Sequence, residues 1–92
     1  MSDCREIRDE HSFRESLEEL GVDRKRLDAV LEAITFTAAR TPEYFPRVRG
    51  TSSLRRMTVG PALGIPKLRI WFTHDEEQIQ MTLAELDENA DE

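Results

Sequence analysis

Leu68, Ile70 and Phe72 alternate with Lys67, Arg69 and Trp71, and after a polar break at residues 74–78 the alternation resumes, with Ile79, Met81 and Leu83 set against Gln80, Thr82 and Ala84. Period-two alternation on both sides of a short polar turn predicts a half-buried β-hairpin over residues 66–86. One face of that hairpin needs a core, and the other presents Lys67, Arg69 and Trp71. Residues 54–59 predict another strand, with Leu54, Arg56 and Thr58 on one face and Arg55, Met57 and Val59 on the other. Met57 and Val59 favour the second face as the inward one. Residues 60–66, GPALGIP, form a turn-rich connector.

Upstream the period changes. Phe13, Leu17 and Leu20 fall at i, i+4 and i+7, Ser12-Phe13-Arg14-Glu15 fits a capping box, and Gly21 supplies a C-terminal cap. A second helix follows Asp23, with Leu27, Val30, Leu31, Ile34 and Ala38 at helical spacing until Thr41-Pro42 ends it. The short link at Gly21-Val22 makes the two an antiparallel helical hairpin. Arg24, Lys25 and Arg26 sit in the first turn of the second helix, where the macrodipole disfavours positive charge, and read as a solvated helix end. Ile7 marks a weakly signalled first edge strand. Tyr44 and Phe45, between prolines, are expected to plug the end of the core. The fold class is therefore α+β: an N-terminal helical hairpin packed on one face of a small antiparallel sheet of three to four strands. Residues 1–86 form a single domain, and residues 87–92 are expected to be a frayed acidic tail.

Composition narrows the function classes. No apolar run approaches the roughly 20 residues that span a bilayer, and the charged start MSDCREIRDEH lacks the apolar core of a signal peptide, so a cytoplasmic location is expected. Cys4 is the only cysteine and shares no ligand-like spacing with His11 or His74, so neither an internal disulfide, a metal site nor a cofactor is expected. The net charge of -6 argues against nucleic-acid binding until its distribution is considered. Residues 44–73 carry six basic side chains (Arg47, Arg49, Arg55, Arg56, Lys67, Arg69) and no acidic one, whereas residues 74–92 carry eight acidic side chains and no basic one. A basic centre lies between acidic ends. In the plainest reading the acidic tail folds back over the basic sheet or serves solubility.

In this order of elements, with Val48-Arg49-Gly50 before a basic strand Leu54-Arg55-Arg56-Met57, then Leu68-Arg69-Ile70-Trp71-Phe72 and a final strand at residues 79–83, the chain resembles the RelE/ParE superfamily of bacterial toxins from type II toxin–antitoxin systems. The resemblance implies a cognate antitoxin as partner and, for ribonuclease members, metal-independent endoribonuclease cleavage of mRNA on the ribosome by attack of a ribose 2′-hydroxyl on the adjacent phosphate. Such chemistry needs cations for the developing phosphorane, a proton acceptor and a proton donor. Arg69 matches the family's sheet arginine, and Arg55 or Arg56 its basic second-strand position. Lys67, Arg47 and Arg49 add charge for RNA or a protein partner, and Trp71 can stack on a base. One departure stands out: ribonuclease members commonly follow the last strand with a basic residue and a tyrosine or histidine, where this chain has Ala84-Glu85-Leu86-Asp87-Glu88. His74, in the turn, reads as a solvated residue. The expected function is a RelE-like mRNA interferase with a degenerate C-terminal catalytic segment. The alternatives are a ParE-like or other non-hydrolytic inhibitor that grips a protein such as DNA gyrase, and a non-toxic interaction module on the same fold.

Overall fold

The structure, a computed structural model, describes residues 5–48 and 54–87. The elements run β1 (Glu6–Asp9), α1 (His11–Leu20), α2 (Arg24–Arg40), a 3-10 turn (Pro42–Tyr44), β2 (Arg55–Val59), β3 (Leu68–His74) and β4 (Gln78–Leu86). The four strands form one sheet in the order β1-β4-β3-β2. β2, β3 and β4 pair antiparallel, while β1 runs parallel to β4, so the sheet is mixed rather than purely antiparallel. The helical hairpin carries the chain across the sheet from β1 at one edge to β2 at the other, and β4 then returns to lie beside β1. This is an α+β fold.

One face of the sheet is covered. Phe13 and Leu17 from α1 and Leu27, Leu31 and Ala38 from α2 share a core with Met57, Val59, Leu68, Ile70, Phe72, Ile79 and Met81. The helices end where their sequence stops favouring them. Gly21 closes α1 at φ +70°, a left-handed conformation that costs glycine little, and the Asp23 side chain caps α2 by accepting from Arg26 N at 3.2 Å. Arg24 is not simply solvated: it pairs with Asp9 at the end of β1 and with Asp28 one turn on, both at 2.8 Å, which offsets its unfavourable place at the helix N-terminus. At the end of the core only Phe45 is a plug. Its ring meets Phe72 edge-on at 5.6 Å, while Tyr44 is 74% exposed and meets Phe45 edge-on from outside at 5.3 Å.

Two details of β4 depart from the expected pattern. Phe72 pairs with Met81 but Trp71 pairs with Leu83, so Thr82 is an extra residue, a β-bulge. The bulge shifts the alternation by one: Ala84 turns inward, and Leu83, expected to be buried, is 40% exposed on the opposite face. The capping box is absent as well. Glu10 occupies the N-cap of α1 without a side-chain bond, and Ser12 Oγ instead donates to the Thr82 carbonyl at 2.6 Å. The cause is the short β1, which leaves the end of β4 without a neighbouring strand. Glu10 N bonds Met81 O, and the two serines one helical turn apart then take Thr82 O and Ala84 N, so α1 serves that edge in place of a strand.

The buried Ser16 hydroxyl accepts from Ala84 N at 3.0 Å and donates to Phe13 O at 2.7 Å. Ser16→Ala leaves a strand amide unsatisfied and is expected to cost about 1–3 kcal/mol, read as a lower urea midpoint at unchanged slope. Asp87, expected in the frayed tail, continues the ladder by donating its amide to Lys67 O at 2.9 Å. Residues 88–92, the rest of the predicted tail, lie outside the described residues, as does Cys4. No helix among the described residues is long and apolar enough to cross a membrane.

Candidate functional site

The strand register arranges the uncovered face in rows. Arg56, Trp71 and Leu83 stand side by side across β2, β3 and β4. The next row is Thr58, Arg69 and Glu85. Beyond it Asp87 lies beside Lys67, joined to it by the last ladder bond. Arg69, Arg56, Lys67 and Trp71 are thus brought to one surface. The Arg69 guanidinium lies 5.9 Å from the Trp71 ring centroid, within cation–π range.

That surface is not simply basic. Arg69 Nη2 is 3.4 Å from Glu85 Oε1, Arg69 Nε is 3.8 Å from Asp87 Oδ1, and Lys67 Nζ is 3.9 Å from Asp87 Oδ2. Glu85 and Asp87 are the residues at this surface whose pairing with the basic side chains the sequence pattern did not predict. A hairpin that continued the His74–Ile79 and Phe72–Met81 pairing without interruption would set Ala84 opposite Arg69; the extra residue at Thr82 puts Glu85 there instead. The acidic stretch that begins at Glu85, inside β4, was the available signal.

Arg55 is held elsewhere. It shares the inward face with Met57 and Val59, where its Nη1 donates to Phe45 O at 2.6 Å and its Nε to His74 Nε2 at 3.2 Å. The sheet separates it from Arg69, so the two do not form one site. Arg47 is exposed and bridges to Arg55, extending the β2 edge through Val48 N to Leu54 O at 2.8 Å. Arg49 and Gly50 lie outside the described residues.

His74 is not a solvated turn residue. It ends β3, half-buried, and the turn itself is made by Asp75, whose Oδ1 accepts from Glu77 N at 2.7 Å and Gln78 N at 2.9 Å. Burial and the neighbouring Arg55 and Arg5 cations push the His74 pKa below its ordinary 6.5, against the opposing pull of Glu43 and Asp75. The unfolded chain therefore binds more protons than the folded one across this range, and stability rises with pH. The contribution is complete above about pH 6.5 and is lost as pH falls from there through the lowered folded value. The urea midpoint of the wild type is expected to fall more between about pH 7.5 and pH 5 than that of His74→Gln, which still offers Arg55 an acceptor; equal falls would remove His74 from the account.

The chain has two histidines and one tyrosine, and none stands beside Arg69. His74 bonds Arg55, His11 pairs with Glu15 on α1, and Tyr44 packs on Phe45 at the end of the core. The proton-accepting groups next to Arg69 are the carboxylates of Glu85 and Asp87. Among the described residues no three His, Cys, Asp or Glu side chains gather as a metal site. On the far side of the molecule α2 exposes Ala29, Ala33 and Phe36, with Arg40 over the Phe36 ring at 5.3 Å. No known family model, curated protein or solved structure matches the chain.

Proposed function

We infer that the protein is the toxin component of a type II toxin–antitoxin system of the RelE/ParE kind, acting in the cytoplasm on mRNA through the helix-free face of its sheet. The observation that carries this reading is the juxtaposition of Arg56, Trp71 and Arg69 on that face: two guanidiniums for backbone phosphates flank one ring for a base. In the cleavage version Arg69 steadies the charge developing on the phosphorane and Glu85, directly opposite, takes the 2′-hydroxyl proton. No cofactor enters this scheme. A cognate antitoxin neutralises the protein by covering the same face or the helices.

A second reading is favoured by a specific observation: neither imidazole nor phenol lies beside Arg69, so the leaving oxygen lacks the usual proton donor. In that reading the same face grips its target, RNA or a protein such as DNA gyrase, without cutting it. Induced expression in a bacterial host, with growth followed alongside transcript length, tests both. Arrest with shortened transcripts supports cleavage, and arrest with full-length transcripts supports gripping. Unimpaired growth at full expression overturns the toxin reading in favour of a non-toxic interaction module.

A further inference from the structure

The ion-pair cluster at the end of the hairpin is sheltered without being satisfied. Arg69 is only 23% exposed and Asp87 only 13%, so their charges are partly withdrawn from water. Even so, the three contacts among Lys67, Arg69, Glu85 and Asp87 measure 3.4, 3.8 and 3.9 Å. Charge-assisted hydrogen bonds between such groups close to about 2.7–2.9 Å. Arg69 Nε is buried and donates to no acceptor. A guanidinium fork in this state is matched better by an anion that can approach both of its edges than by two carboxylates fixed on a neighbouring strand.

The carboxylates also sit at the end of β4. β4 ends at Leu86, and the Asp87 amide follows it with a bond to Lys67 O at 2.9 Å. Leu86, the side chain between the two acids, is 37% exposed, whereas Ile79 and Met81 earlier in the strand are fully buried, so the strand end is held by less apolar burial than its start. Terminal ladder bonds with so little buried apolar support are the first to break.

We propose that the end of β4 is a built-in mask, in which Asp87 and Glu85 occupy on Lys67 and Arg69 the places that two backbone phosphates of a single-stranded RNA take when it binds. This rests on the non-cutting form of the toxin reading, in which Glu85 takes no proton, and adds regulation to the same site. RNA is the occupant because Arg69 adjoins Trp71 in the neighbouring row with Lys67 one row beyond, and a single strand alone presents phosphates and free base faces in alternation. An RNA that binds must displace the carboxylates, so the wild-type chain holds short RNA weakly until the end of β4 lifts.

The test compares the full chain with the isosteric double variant Asp87→Asn/Glu85→Gln, using fluorescence anisotropy of a short labelled single-stranded RNA over a salt series. The double variant is expected to bind about tenfold tighter at low salt. Its plot of log K against log salt should be steeper by about 1.4, roughly 0.7 for each phosphate contact released from competition. Glu18→Gln/Glu19→Gln on α1 removes the same charge away from the site and should change neither quantity. Arg69→Ala in the double-variant background should return binding to the wild-type level. Asp87→Asn alone, with circular dichroism to verify the fold, should show part of the gain. Equal affinity of wild type and double variant overturns the mask, as does a gain matched by the α1 control or one that survives Arg69→Ala. An equal gain for duplex DNA overturns single-stranded RNA as the occupant. Growth arrest without any gain in binding defeats this inference and leaves the toxin reading standing; a gain in binding by a chain that arrests nothing does the reverse.

Discussion

Phe72→Ala is expected to remove a large share of the stability of this protein. Phe72 lies on β3, one of the two inner strands, is fully buried, and meets the Phe45 ring edge-on at 5.6 Å. Truncating such a ring costs about 3–5 kcal/mol through lost burial and the cavity left behind. A domain of this size has only about 5–14 kcal/mol to lose. The urea midpoint should drop sharply at unchanged slope, and Phe45 should lose its packing partner. Phe36→Ala makes the contrast. That ring is 58% exposed on α2 and contacts Arg40, so its loss should cost less than about 1 kcal/mol. Similar costs for the two would mean that the core is not centred on β3.

The second large effect separates the two faces of the sheet. Arg69→Ala is expected to abolish growth arrest while the protein remains folded. Each lost charge-assisted phosphate contact weakens engagement by about 10- to 100-fold, from roughly 1.5–3 kcal/mol per bond. Glu85 would then face the target without its counter-ion and repel it, and Asp87 would keep only Lys67. Arg55→Ala acts differently. It removes the bonds to Phe45 O and His74 Nε2 on the covered face and is expected to cost about 1–3 kcal/mol of stability, with arrest per folded molecule retained. Urea titration beside arrest at matched levels of soluble protein distinguishes the two. Loss of arrest from Arg55→Ala at full stability would place the functional face on the wrong side of the sheet.

Why one arginine is separated from its neighbour in sequence illustrates how far the sequence can be read. Arg55 and Arg56 are ambiguous by charge, but the burial of Met57 and Val59 settles the strand phase and sends Arg55 inward. The helical hairpin, the hairpin of β3 and β4, Gly21 and Asp23 all follow from local periodicity and capping, because each depends on a few adjacent residues. What escaped depended on distant partners. Ser12 has the spacing of a capping residue, yet the unpaired edge of β4 takes its hydroxyl. Thr82 carries no local mark of a bulge, and that one residue decides both the exposure of Leu83 and the placement of Glu85 opposite Arg69. The parallel pairing of β1 with β4 joins residues about seventy apart, beyond the reach of any pattern within a strand.

The helix-free face carries the chain's single tryptophan, which makes a direct measurement possible. Trp71 emission can be followed at low salt during titration with single-stranded RNA, while anisotropy of the labelled RNA reports binding independently. A saturable change in Trp71 emission that tracks the anisotropy, and that disappears in Arg69→Ala, is the predicted result. RNA binding with unaltered Trp71 emission, or with Arg69→Ala behaving as wild type, would contradict the assignment of function to this face.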